Sequence, residues 1–243
     1  DGGLFVPDSF PNLYEILKKN KGLSYEELAF KIIKEFFTDI DENELREAID
    51  EAYNNRFKPE LNKNYLELYH GPTCAFKDAA LLFLPQIMKR AKKSLGVNEE
   101  IVILTATSGD TGKAALEGFS SVDGFKVVVY YPKNGVSAIQ ERQMATQEGD
   151  NVKVFGIKGN FDNAQTGVKK IFGDEKLKEE LKKNGYILSS ANSINIGRLV
   201  PQIVYYFYGY FKLIEQGKIK EDEEINVVVP TGNFGNILAS YYG

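Results

Sequence analysis

The chain has 243 residues, 43% of them hydrophobic and 26% charged, which is enough to bury a core without a disulfide or metal staple and unlike a disordered or collagen-like composition. Its 30 Lys and Arg against 34 Asp and Glu leave a formal charge of −4, so no global positive field is available for nucleic-acid phosphates. One cysteine, Cys74, and one histidine, His70, exclude an internal disulfide, a CxxC pair and any multi-histidine metal site; with no apolar run of about 18 residues and no charged-then-apolar opening stretch, the sequence reads as that of a cytoplasmic protein with neither membrane nor nucleic acid as partner.

In chain order, the first 64 residues read as helical and polar. Ser24-Tyr25-Glu26-Glu27 has the form of a capping box, and Leu28, Ile32 and Phe36 come after it at helical spacing. A second helix is expected from Asp41 to Asn54, with Leu45, Ile49 and Ala52 or Tyr53 on one face. Neither is apolar all round, so both should pack on elements later in the chain. From Tyr65 the pattern becomes strand-like runs separated by helical period: Tyr65 to Tyr69, Glu100 to Thr105, Lys126 to Tyr131, Val152 to Ile157, Tyr186 to Ser189 and Ile225 to Val229. That alternation predicts an α/β fold with parallel sheet. Ile101 to Leu104 and Val127 to Val129 are apolar on both faces and should be covered by helices on both sides. The aromatic stretch from Val204 to Phe211 reads as core or subunit contact, and Lys212 to Glu224 as a helix end with a solvated loop.

Ligands of open α/β sheets bind beyond the carboxyl ends of strands, which directs attention to four loops. The first, His70 to Asp78, places Lys77 between Phe76 and an apolar helix. A partly desolvated amine there would be a nucleophile; a plain Lys77 and Asp78 surface pair is the alternative. In the second, Ala106 to Gly112, hydroxyl and carboxyl side chains and two glycines precede a helix expected from Lys113, a fit for a carboxylate or other anion. A Walker loop is excluded, since Thr107 and Ala114 stand where it needs Gly and Ser or Thr, and no GxGxxG is present. The third, Ser190 to Asn195 with Arg198 one turn into a helix, would suit a dianionic phosphate. The fourth, Pro230 to Asn236, lets Gly232 and Gly235 turn backbone amides toward an oxygen cluster. Helix capping or a tight βα turn explains the last three equally well from sequence. Together the loops describe a reactive amine with anion sites and no metal ligands, a set that fits aldehyde-cofactor chemistry.

At these residues the sequence resembles the threonine synthases, pyridoxal-phosphate enzymes of the tryptophan-synthase-β-like fold, also called fold type II. The carrying segments are DGGLFVP (1–7), HGPTCAFKD (70–78), ATSGDTGKAA (106–115), YYPKNGVSAIQERQM (130–144), GNFDNAQ (159–165), NSINIGRLVPQIVYYF (192–207) and PTGNFGNILA (230–239). The resemblance implies pyridoxal 5'-phosphate held covalently by Lys77, which later moves protons. It implies a phosphate loop of Gly232, Asn233, Phe234, Gly235 and Asn236 acting through backbone amides. The turn of Ser108, Gly109, Asp110 and Thr111 would hold the substrate carboxylate and the surroundings of the cofactor ring oxygen, and Ser193, Asn195 and Arg198 the substrate phosphate. The implied reaction converts O-phospho-L-homoserine and water to L-threonine and phosphate, the last step of threonine biosynthesis.

By the same resemblance, residues 1–64 form a helical region on a large cofactor-binding domain made of 65–95 and 191–243, while 96–190 form a smaller, mobile α/β domain. It starts inside a motif at Asp1 and stops at Gly243, which implies a truncated chain, with the partner of the pyridine nitrogen and the rest of the large-domain sheet in the absent part. His70 is open to a structural or a proton-transfer role, and Cys74 reads as a small packing residue. Two rival functions stand beside the main one: a related pyridoxal-phosphate dehydratase or phospholyase, and a non-catalytic domain or inactive fragment that keeps the fold.

Overall fold

A computed structural model describes residues 5–18, 22–193, 195–232 and 234–243. The chain divides into two compact units. One comprises residues up to Phe83 together with Ser193–Gly243, and the other is Leu84–Asn192.

The first unit opens with helices α1 (Leu13–Leu17), α2 (Tyr25–Ile33) and α3 (Glu42–Tyr53). The capping box read from the sequence starts α2, with the Ser24 side chain and Glu27 bonding each other's backbone N–H. Asp41 caps α3, whose Leu45, Ile49, Ala52 and Tyr53 are buried. Next comes a hairpin, β1 (Glu60–Asn62) and β2 (Tyr65–Glu67), antiparallel with Glu60 opposite Glu67. Here the structure corrects the sequence reading: the run at Tyr65 does not join the parallel sheet. Its turn, with Lys63 at φ 55°, folds it back on residues just upstream, and a short antiparallel pair closes with far less chain than a parallel crossover.

The expected helix after Lys77 is two helices, α4 (Asp78–Leu81) and α5 (Phe83–Ser94). Pro85 has no N–H to give the Leu81 carbonyl, which ends the first one. Pro201 has the same effect later in the chain, separating α10 (Ile196–Leu199) from the long α11 (Pro201–Glu215). The aromatic face of α11 is core, with Val204 and Tyr205 fully buried, and α2 packs on it. Beyond α11 the charged stretch is exposed, and α12 (Gly235–Tyr242) ends the unit.

Residues 225–229 form no strand, a second correction. The run has the propensity, but a strand exists only as a ladder; among the described residues of this unit the ladder is the β1–β2 hairpin. Val228 is left 91% exposed.

The second unit is a four-stranded parallel sheet in the order β5-β4-β3-β6, from β3 (Glu100–Ala106), β4 (Phe125–Pro132), β5 (Val152–Ile157) and β6 (Tyr186–Ser189). The crossovers are α6 (Asp110–Phe119), α7 (Ala138–Ala145), α8 (Phe161–Gly173) and α9 (Glu175–Lys183). Alternation along β3 and β4 sends Leu104, Ala106, Val128 and Tyr130 against Ala164 and Val168 of α8. On the other face Val127 and Val129 are fully buried, and Val129 reaches Gly112 of α6. Each such valine contributes roughly 1.5–3 kcal/mol by leaving water. Covered on both faces and paired on both sides, β3 delivers the loop at its carboxyl end to the mouth of α6 in a fixed place.

Candidate active site

Lys77 is the last residue of an irregular loop, the N-cap of α4, and is half-buried. The loop has a closed geometry. Thr73 donates its backbone N–H to Asp78 Oδ2 at 2.9 Å and its hydroxyl to Asp78 Oδ1 at 2.6 Å, and Cys74 N–H reaches the Gly71 carbonyl at 3.1 Å. Asp78 is only 1% exposed, so its carboxylate is a buried group and not part of a solvated surface pair. A carboxylate in the first helical turn also sits at the favourable pole of the helix dipole. Gly71 is needed because a Cβ there would lie 2.5 Å from Asp78 Oδ2. The Tyr53 hydroxyl donates to the Ala79 carbonyl at 2.5 Å and ties α4 to α3. Above this base the Lys77 ammonium lies 4.4 Å from the Phe76 ring centroid, the half-desolvated placement expected from the sequence.

Two neighbours differ from or sharpen the sequence reading. Cys74 is exposed and has φ 54°; it is a turn residue, because the Gly71 to Cys74 bond bends the chain outward before it can pack. His70 Nε2 is 2.8 Å from Glu67 Oε2 and 4.0 Å from Glu60 Oε2. The bond to His70, with others from Asn62 and Tyr69, holds the Glu67 carboxyl below its usual pKa. These contacts favour the structural role for His70, as the anchor between hairpin and loop.

From Ser193 onward the third loop lies in the same unit. Asn195 caps α10, its Oδ1 accepting the Gly197 N–H at 2.9 Å, and Ser193 is half-buried. Arg198 is 4% exposed, and burial pushes its pKa down to about 10. The helix α10 packs on α4, α11 and α12, so the guanidinium is buried on the element that links the Lys77 helix to the phosphate-loop helix.

In the fourth loop, Asn233 lies outside the described residues. Gly232 is exposed with open space around it, and Phe234 is the exposed N-cap of α12. A Cβ on Gly235 would stand 3.1 Å from Ser193 Cβ, so glycine there lets the mouth of α12 come against the third loop. The Asn236 side chain faces α11: its Oδ1 accepts from the Tyr205 hydroxyl and, at 2.7 Å, from the Tyr206 hydroxyl, while its carbonyl accepts from Tyr206 at 3.1 Å. Asn236 thus leaves only its backbone for the role read from the sequence.

The second loop belongs to the other unit. Thr107, buried, accepts the N–H groups of Gly109 and Gly112 on one hydroxyl oxygen, each at 2.9 Å. This starts α6 at Asp110, three residues earlier than expected. Gly109 has φ 136° and Ser108 is exposed. Sequence reasoning counted Thr107 only among the hydroxyls of an anion cradle and assigned no role to Thr73; the available signal was a hydroxyl three residues before α6 in one case and five before α4 in the other.

The structure therefore brings Lys77, Ser193, Asn195, Arg198 and Phe234 to Asn236 into one unit and builds the Ser108 to Thr111 turn in the other. The donor chemistry fits pyridoxal phosphate. A half-buried amine fixed at a helix start suits an aldehyde, and a glycine-lined helix mouth whose side-chain space is taken by Ser193 suits close approach of a phosphate to backbone amides.

The comparisons with known proteins agree with this chemistry. The family model for pyridoxal-phosphate dependent enzymes matches residues 65–243, and the chain belongs to that family. Within it, the likeness is to threonine synthases. The model of the threonine synthase N terminus matches residues 1–53. Threonine synthase of Eremothecium gossypii is 39% identical over 100% of this chain and 50% of its own length, and human threonine synthase-like 1 is 40% identical over 100% of this chain and 35% of its own. The crystal structure of pyridoxal-phosphate-bound threonine synthase from Brucella melitensis superposes with a TM-score of 0.85 at 37% identity, covering 100% of this chain and 52% of that one. The chain spans about half the length of the curated threonine synthases it matches. No helix among the described residues is long and apolar enough to cross a membrane.

Proposed function

We propose that this chain forms the lysine-bearing part of a threonine synthase, which converts O-phospho-L-homoserine and water to L-threonine and phosphate. The observation that carries the reading is the coexistence, in one unit, of a half-buried amine at Lys77 and a buried guanidinium at Arg198, on helices α4 and α10 that pack against each other. An amine suits an aldehyde cofactor. A buried cation suits a phosphate that the substrate carries and a plain hydroxy-amino acid lacks.

When bound, pyridoxal phosphate supplies the electron sink that lets a proton leave the substrate Cα. Lys77 holds that cofactor, takes the Cα proton on Nζ and later returns it. In the net change Cγ would exchange its phosphate for a hydrogen and Cβ one hydrogen for the hydroxyl of water, the other proton of water leaving with the phosphate. Arg198, with Ser193 and Asn195, binds the phosphate first as substrate and then as leaving group, where a charge already in place stabilises the departing dianion. The backbone amides of Gly232 to Asn236 hold the cofactor phosphate. The turn of Ser108, Gly109, Asp110 and Thr111 receives the substrate carboxylate. The domain division that goes with this reading is 1–64, 65–95 with 191–243, and 96–190.

Identity is nearly equal to threonine synthases and to a threonine synthase-like protein, so the reaction must discriminate. Incubation of the cofactor-loaded protein with O-phospho-L-homoserine should yield phosphate and threonine in equal amounts. Phosphate with 2-oxobutyrate alone would assign a phospholyase, and a visible cofactor band that persists in Lys77→Ala would remove the lysine from its role.

A further inference from the structure

The segment from Tyr130 to Met144 has no part in the chemistry above, yet it carries the side chain that holds the Ser108 to Thr111 turn. Gln140 lies in the first turn of α7 and forms a capping box with Ser137: the Ser137 hydroxyl accepts the Gln140 N–H at 3.2 Å, and Gln140 Oε1 accepts the Ser137 N–H at 3.1 Å. With its oxygen engaged, the carboxamide directs its nitrogen to the other loop, where Nε2 donates to Asp110 Oδ1 at 2.7 Å. The opposite amide orientation would set an oxygen against a carboxylate and an NH2 against an N–H, so both ends select the same one. Lys113 Nζ lies 3.5 Å from the same Asp110 oxygen. The carboxamide also takes the space beside Gly109: a Cβ there would be 2.4 Å from Gln140 Cδ and Oε1 and 2.6 Å from Nε2. Thus Thr107 gathers the Gly109 and Gly112 amides, while Gln140 packs on Gly109 and bonds Asp110.

We propose that Gln140 is a positioning residue for the carboxylate-binding turn, setting the shape of Ser108 to Thr111 through its bond to Asp110. This rests on the threonine synthase reading for the turn's ligand, but the geometric part stands without it. A neutral donor is required at position 140. Glutamate has the same length but would place a second carboxylate against Asp110, and the turn would open.

The test uses the cofactor-loaded protein with Gln140→Glu, the uncharged Gln140→Met, and the double variant Asp110→Asn with Gln140→Glu, in which the amide introduced at position 110 can donate to the carboxylate at position 140. Two readouts are taken: the visible cofactor spectrum during titration with O-phospho-L-homoserine, and amide hydrogen exchange over residues 107–112 without substrate. Gln140→Glu should weaken substrate binding roughly tenfold or more, the size expected when a hydrogen bond to a charged group is lost. It should also speed exchange at 108–112. The double variant should restore exchange protection. Unchanged exchange in Gln140→Glu, or a double variant no better protected than the single one, would overturn the proposal, as would a lowered melting midpoint with unchanged affinity. If Gln140→Glu does not fold, Gln140→Met is read by the same two criteria. If the parent spectrum does not respond to the substrate, the threonine synthase reading fails, and exchange alone then decides for or against the clamp.

Discussion

Asp78 accepts both the backbone N–H and the hydroxyl of Thr73, at 2.9 and 2.6 Å, and so ties the four residues between them, Cys74 to Lys77, into a closed loop. The lysine is therefore held in place by a buried carboxylate one residue away, where the sequence had also allowed a solvated surface pair. Thr73 is buried as well, which keeps water from competing for either bond.

Asp78→Ala leaves two buried donors on Thr73 without their acceptor. Hydrogen bonds to charged groups contribute about 1.5–3 kcal/mol each and an unsatisfied buried group costs about 1–3 kcal/mol, so a loss of about 3 kcal/mol is expected in chemical denaturation. Cofactor loading should fall with it. A loss below about 1 kcal/mol would show that the loop is held elsewhere.

Arg198→Met should separate stability from function. Burial drives the Arg198 pKa down to about 10, a sign that the fold bears a cost for keeping the charge there. Replacing a buried ion by an apolar chain of similar length is often neutral or stabilising, and the Gln202 bond at this residue goes to its backbone carbonyl. The melting midpoint should stay within a few degrees of the parent, since about 1 kcal/mol moves it by roughly 2–4 °C in a chain of this size. Affinity for a phosphorylated amino acid should fall while that for the unphosphorylated one is retained. Equal loss for both ligands would contradict the phosphate assignment.

Gly109→Ala and Gly232→Ala make a contrast between two glycines of the candidate site. The first has φ 136° and a Cβ position 2.4 Å from the Gln140 carboxamide, whereas the second has open space within 4 Å. A non-glycine residue in so sparse a backbone region costs on the order of 1–3 kcal/mol before any clash. Thermal denaturation should show Gly109→Ala clearly destabilised and Gly232→Ala close to the parent. Equal midpoints would argue that the turn adapts freely.

The Glu67 carboxyl, lowered from its ordinary 4.5 chiefly by the bond to His70, gives a pH dependence with a definite sign. Between the lowered native value and 4.5 the unfolded chain binds more protons than the folded one, so stability rises with pH there. The contribution is complete above the ordinary value and disappears as pH falls through the native one. Denaturation midpoints measured from about pH 6 to about pH 3 should therefore fall more steeply in the parent than in Glu67→Gln. Parallel slopes would mean the carboxyl is not coupled to folding.

Local rules in the sequence determined much of this protein. Ser24 and Glu27 announced α2, the apolar period announced α3, and the runs at Glu100, Lys126, Val152 and Tyr186 became the parallel sheet nearly residue for residue, because each signal depends on near neighbours in the chain. The loops to which the proposed chemistry is assigned stood out for the same reason: Lys77 and the glycines of the α12 mouth lie within short motifs. Tertiary structure decided what depends on distant partners. Val227 to Val229 had strand propensity without a ladder to join, Tyr65 to Glu67 paired backward instead of into the sheet, and Asn236 turned its side chain to Tyr205 and Tyr206, about 30 residues away. Gln140 reached Asp110 across the same interval of chain. Hydrogen bonding and burial are satisfied by whichever groups folding brings near, and no local pattern specifies which those will be.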